Sequence, residues 1–202
     1  MKINIDKAGK KFNKEWIFRR LSFLIDKNTV LLGSNGSGKS TLLKSISGIQ
    51  SLNEGSIVYE QNDNKIDVND IFQYLSYAAP YLELIEEFSL QEAIDFQQTF
   101  KKYSLSKTEI IEIIELEKHQ NKLLKDYSSG MRQRVKLALA ILCDSPILLL
   151  DEPTNNLDKN AIKWYQNLVE KYASNKLIIV ASNHLEYEYE FCRQQINIQD
   201  YK

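Results

Sequence analysis

Residues Gly33-Ser34-Asn35-Gly36-Ser37-Gly38-Lys39-Ser40 set glycines, a lysine and a hydroxyl in the order G-x-x-x-x-G-K-S, directly after the apolar run Thr29-Val30-Leu31-Leu32. This pattern suits a phosphate cradle. Glycine lets backbone N–H groups come close to a ligand without a Cβ in the way. A helix from Ser40 to about Gly48 would add the free N–H groups and partial positive charge of its N-terminus. In such a loop Lys39 reaches the β- and γ-phosphates and the Ser40 hydroxyl ligates Mg2+. Gly33 through Thr41 are therefore the candidate triphosphate-binding residues.

A second group of residues could complete that chemistry. Ile147-Leu148-Leu149-Leu150-Asp151-Glu152 reads as a buried strand ending in two carboxylates. In α/β folds a ligand sits beyond the carboxyl ends of the strands. Asp151 would then face the phosphate loop and hold Mg2+ through water, and Glu152 would orient a water toward the γ-phosphate.

The elements that must position these groups follow from patterning. Lys2 to Asp6 alternates, Ile17 to Asp26 is a mixed apolar run, and Gly55 to Glu60 follows a turn signal, so the N-terminal part reads as strands. Gln61 to Lys65 reads as a hairpin loop, and residues 73–79 as a short strand stopped by Pro80. Ser89-Leu90-Gln91-Glu92 and Ser106-Lys107-Thr108-Glu109 are capping boxes, and residues 85–125 read as a helical insert. Helix at Ser129–Leu142, strand at Ile147–Leu150, helix at Asn160–Tyr172 and strand at Leu177–Ala181 then alternate. Unbroken apolar strands predict a parallel sheet covered on both faces.

Composition narrows the class. Hydrophobic residues make up 43% and charged residues 26% of the chain, as in an ordinary globular domain. The net charge of −1 gives no basic footprint, so nucleic acid is not expected as a partner. Cys143 and Cys192 have no metal-binding spacing and read as reduced core residues of a cytosolic protein. The N-terminus has no signal-peptide pattern, and no apolar stretch suffices to cross a bilayer. Membrane work would then pass through a partner.

With both halves of the site in order, the chain resembles the ATP-binding cassette (ABC) transporter ATPase subunits over nearly its whole length. Tyr127-Ser128-Ser129-Gly130-Met131 is similar to the family signature L-S-G-G-Q. The resemblance implies that Ser128 and Gly130 donate a hydroxyl and a backbone N–H to the γ-phosphate held by an opposite subunit. Asn156-Leu157-Asp158 resembles the loop that crosses the dimer interface. His184 stands where the family has its switch histidine. Phe12, or failing that Trp16, matches the aromatic residue that stacks on adenine.

The implied fold is a P-loop NTPase: a RecA-like, mostly parallel α/β sheet core with an N-terminal antiparallel β part, plus an all-helical ABC lobe. The domain is single, with core at 1–79 and 130–202 and lobe at about 80–129. The implied activity is Mg2+-dependent ATP hydrolysis, with Glu152, His184 and Lys39 as catalytic residues and Ser40 and Asp151 as metal ligands. The implied assembly is a homodimer, or a dimer with a second ATPase subunit, on an integral-membrane permease at the cytoplasmic face of the cell membrane. Tyr81, Leu82, Leu84 and Ile85 would dock the permease, and no C-terminal regulatory domain is expected. A soluble ABC-type ATPase without a permease is the alternative. An ordinary GTPase is disfavoured, because Asn175-Lys176-Leu177-Ile178 lacks the Asp of the guanine motif.

Two departures stand out. The family's Gln at the junction of core and lobe is missing, since that segment reads Ala78-Ala79-Pro80-Tyr81-Leu82-Glu83. Slow hydrolysis and a stiffened hinge are expected from this. The signature also carries Ser129 for Gly and Met131 for Gln.

Overall fold

The computed structural model describes residues 1–201. Two sheets make up the β structure, and helices cover both faces of the second. The first is antiparallel, in the order β2-β1-β4-β5, formed by β1 (Lys2–Phe12), β2 (Glu15–Ile25), β4 (Glu54–Gln61) and β5 (Asn64–Ile66). The second is parallel, in the order β6-β7-β8-β3-β9, formed by β3 (Thr29–Leu32), β6 (Leu75–Ala78), β7 (Ile147–Asp151), β8 (Leu177–Ser182) and β9 (Gln194–Asn197). Every residue of β3, β7 and β8 is buried. Their side chains alternate between two cores, as the strand period of two requires. Leu31, Leu149, Ile179 and Ala181 join the antiparallel sheet and helix α1 (Lys39–Ile46). Val30, Leu148, Leu150 and Val180 face helices α4 (Ser129–Leu142) and α5 (Lys159–Tyr172).

Local chemistry sets the boundaries. The expected hairpin loop at Gln61–Lys65 narrows to Asn62 and Asp63, at φ 49° and 63°, the left-handed pair that a two-residue turn between twisted strands requires. Strand β1 runs well past the alternating stretch Lys2–Asp6. Register shifts between Ile5 and Lys10 bring Ala8, Gly9 and Lys10 inside in succession, and this hides the strand from a period-two search. β9 was equally invisible in the sequence, because only Ile196 of Gln194–Asn197 is buried and its pairing partner β3 is remote.

Both capping boxes form. Ser89 opens α2 (Leu90–Phe100) and Ser106 opens α3 (Lys107–Ile114), each side chain accepting from the N3 amide while the N3 glutamate accepts from the cap amide. Glu115, at φ 61°, ends α3, and the segment to Tyr127 continues as 3-10 turns rather than α-helix. Ile94, Ile110, Ile114 and Leu124 of this lobe share one hydrophobic cluster with the α4 face of the parallel sheet.

Candidate nucleotide site

The parallel sheet delivers its chemistry at one edge. β3, β8, β7 and β6 lie side by side and end together, with Leu32 opposite Ser182, Ala181 opposite Asp151 and Leu150 opposite Ala78. The segments that follow are the Gly33–Ser40 loop, Asn183-His184, Glu152 and Pro80-Tyr81.

The loop is shaped by glycine where a side chain has no room. Gly33 has φ 150°, and a Cβ there would lie 2.5 Å from the Ser37 hydroxyl oxygen. Gly38 has φ 107°, and a Cβ there would lie 2.6 Å from a methyl carbon of Ile17. Ile17, Asn35 through Thr41 and Glu152 line a cavity of about 260 Å³ over the start of α1. The Ser37 hydroxyl is buried with no hydrogen-bond partner among the described residues.

Lys39 is held inside the loop. Its ammonium donates to Gly33 O at 2.8 Å, Ser34 O at 3.1 Å and Asn183 Oδ1 at 2.8 Å. Burial lowers its pKa, and the charges of Glu152, Asp151 and Glu188 oppose that shift. Asn183 also donates from Nδ2 to Glu152 Oε1 at 2.8 Å. One amide thus spans the lysine of the loop and the carboxylate after β7. Glu152 is held in the left-handed region at φ 45° while its N–H donates to Ala181 O at 2.9 Å. Asn183 went unrecognised as a site residue in the sequence; its only signal was its place between strand β8 and His184.

Asp151 is 1% exposed, and neither carboxylate oxygen has a hydrogen-bond partner among the described residues. Burial raises its pKa; nearby Ser40 and Tyr81 hydroxyls and the Lys39 charge offset part of the shift without closing a full hydrogen bond. A desolvated carboxylate beside a serine hydroxyl is an oxygen donor set suited to a hard divalent cation. The residues present therefore fit Mg2+.

The remaining expected site residues fall in three places. His184 follows β8 at φ 66° and is exposed. Ser128 caps α4 by accepting from the Met131 N–H at 3.2 Å, and a Cβ on Gly130 would lie 3.1 Å from Asn156 O. Ser128, Gly130, Asn156 and Asp158 line a separate cavity of about 460 Å³ that shares no residue with the one at Lys39. Phe12 is 47% exposed at the end of β1, with the Lys10 ammonium 5.3 Å from its ring centre. Trp16 lies under Arg19 and Lys11, at 4.4 Å and 5.2 Å, so Phe12 has the more open ring. Neither aromatic lines the cavity at Lys39.

Comparison with known proteins gives the family and the fold. The profile of the ABC transporter family matches residues 19–155. The chain is 36% identical over 182 residues to the ATP-binding protein Uup of Buchnera aphidicola, covering 88% of this chain and 29% of that protein. It is 34% identical over 167 residues to the cytochrome c biogenesis ATP-binding export protein CcmA of Rickettsia felis, covering 82% of this chain and 84% of that one. The chain thus spans less than a third of the Uup relative and most of the CcmA relative. The dimeric post-hydrolysis structure of the ATP-binding cassette MJ0796 bound to ADP and Pi superimposes with a TM-score of 0.82 at 22% identity, over 98% of this chain and 94% of that one.

Proposed function

The chain belongs to the ABC transporter family as an ATP-binding cassette, and on that premise we propose that it binds and hydrolyses Mg-ATP as a dimer that powers a membrane permease. The observation that carries the dimer is the separation of the two cavities. The signature residues Ser128 and Gly130 line a space apart from the Lys39 loop, which supports their being supplied to a nucleotide there by a second molecule.

The roles follow from the placement. Backbone amides of Gly33 through Thr41 and the Lys39 ammonium bind the phosphates. Ser40 and Asp151 would hold Mg2+, which would supply neutralisation of the phosphate charge. Glu152, oriented by Asn183, positions the attacking water. His184 contacts the γ-phosphate, and Phe12 stacks on adenine. Nucleotide favours the closed dimer because only there does it gain the partner's donors, and hydrolysis removes that difference.

Coupling to a permease is supported by the CcmA relationship and by a groove of about 410 Å³ between β6 and the lobe, lined in part by Leu82 and Leu84. Ile85 is 40% exposed nearby. Among the described residues no helix is long and apolar enough to cross a membrane, so the cassette would sit peripherally on the cytoplasmic face. A second reading is an ABC-type ATPase without a permease; the Uup relative is described only as an ATP-binding protein. Co-purification from detergent-solubilised membranes separates the two.

Glu152→Gln tests the dimer. With Mg-ATP the variant should accumulate as a dimer in size-exclusion chromatography with light scattering. A species that stays monomeric at saturating Mg-ATP, with the membrane partner present, refutes the proposal.

A further inference from the structure

The junction between β6 and the lobe carries no glutamine, but it does place a pair of tyrosines at the metal side of the site. β6 lies beside β7 with Ala78 opposite Leu150, so the residues after Ala78 run past Asp151. The Tyr77 and Tyr81 hydroxyls hydrogen-bond to each other, and the rings meet edge to face with centroids 6.2 Å apart. The Lys44 ammonium sits 3.8 Å from the centre of the Tyr81 ring. Lys44 and Ser40 are four residues apart on α1 and so share a helix face. Tyr81 is therefore held on the face of α1 that carries Ser40, beside the end of β7 that carries the buried Asp151 carboxylate. The position that read as a docking residue in sequence bonds its hydroxyl to Tyr77 instead.

We propose that Tyr81, braced by Tyr77 and Lys44, is a further metal-side residue of this site, its hydroxyl hydrogen-bonding a water retained by the Mg2+ that Ser40 and Asp151 hold. The inference rests on the nucleotide-site reading above. A phenol suits the place because it donates and accepts while adding no charge beside Asp151. Its ring, clamped by Lys44 and Tyr77, loses little freedom on binding.

The test compares ATP affinity in Mg2+ with ATP affinity in EDTA, by calorimetry, for the wild type, Tyr81→Phe and Tyr77→Phe. The Mg2+-dependent gain should fall about tenfold in Tyr81→Phe, the low end of what losing an outer-shell partner does to a metal site. It should fall less, in the same direction, in Tyr77→Phe, which keeps the Tyr81 hydroxyl but removes its brace. Binding in EDTA shows that each variant is folded. A Tyr81→Phe gain equal to wild type overturns the assignment. A wild type that binds no ATP under either condition overturns the nucleotide site itself, so the two failures are distinct. If Tyr81→Phe does not fold, an unchanged gain in Tyr77→Phe overturns the braced arrangement, and a reduced one supports it.

Discussion

Replacing Asn183 with alanine separates binding from turnover. The Lys39 ammonium has three protons, and they go to Gly33 O, Ser34 O and Asn183 Oδ1. A phosphate must displace at least one of these partners. Asn183→Ala removes the side-chain competitor and frees one proton for the ligand, so ATP affinity should hold or improve. The same change removes the 2.8 Å bond that orients Glu152. A hydrogen bond to a charged group contributes about 1.5–3 kcal/mol, and the low end applies because Asn183 is only half-buried. A loss of about 1.5 kcal/mol from positioning Glu152 corresponds to a roughly tenfold fall in kcat. The assay pairs steady-state phosphate release with equilibrium binding of ATP. Asn183→Asp is the control. Its carboxylate still accepts from Lys39 but repels Glu152, so kcat should fall further. Equal kcat in wild type and Asn183→Ala would refute the idea that this amide orients Glu152. A parallel loss of affinity and turnover would refute the competition at Lys39.

Two further outcomes concern stability. The Glu188 carboxylate is buried, accepting from the Thr154 hydroxyl at 2.6 Å and from the Ser182 hydroxyl, and burial raises its pKa above the ordinary 4.5. The native state therefore holds this proton at pH values where the unfolded chain has released it. Its contribution is complete below 4.5 and declines as pH rises through the raised folded value. Urea-unfolding midpoints of Glu188→Gln across that range should fall less with rising pH than those of the wild type; identical slopes would count against it. Ser106→Ala removes the hydroxyl half of the α3 capping box and should destabilise the protein by about 1 kcal/mol. Chemical denaturation followed by circular dichroism measures this, and a change near zero would show that the lobe helix does not depend on its cap.

What the sequence determined by itself was everything that depends on short spacing. The phosphate loop, the carboxylates at the end of β7 and both capping boxes are local patterns, because a turn, a cap or a strand end is specified by residues a few positions apart. The buried parallel strands were legible for a similar reason: Val30, Leu149 and Ile179 lie in unbroken apolar runs that only a doubly covered sheet accommodates. Tertiary structure alone decided which distant groups meet. Asn183 finds Lys39 and Glu152 only because β8 lies between β3 and β7. Tyr81 reaches the Asp151 side only because β6 pairs with β7 and α1 lays Lys44 over the ring. The polar strand β9 exists because β3 offers it an edge of backbone hydrogen-bonding groups, and no pattern in Gln194–Asn197 encodes that partner.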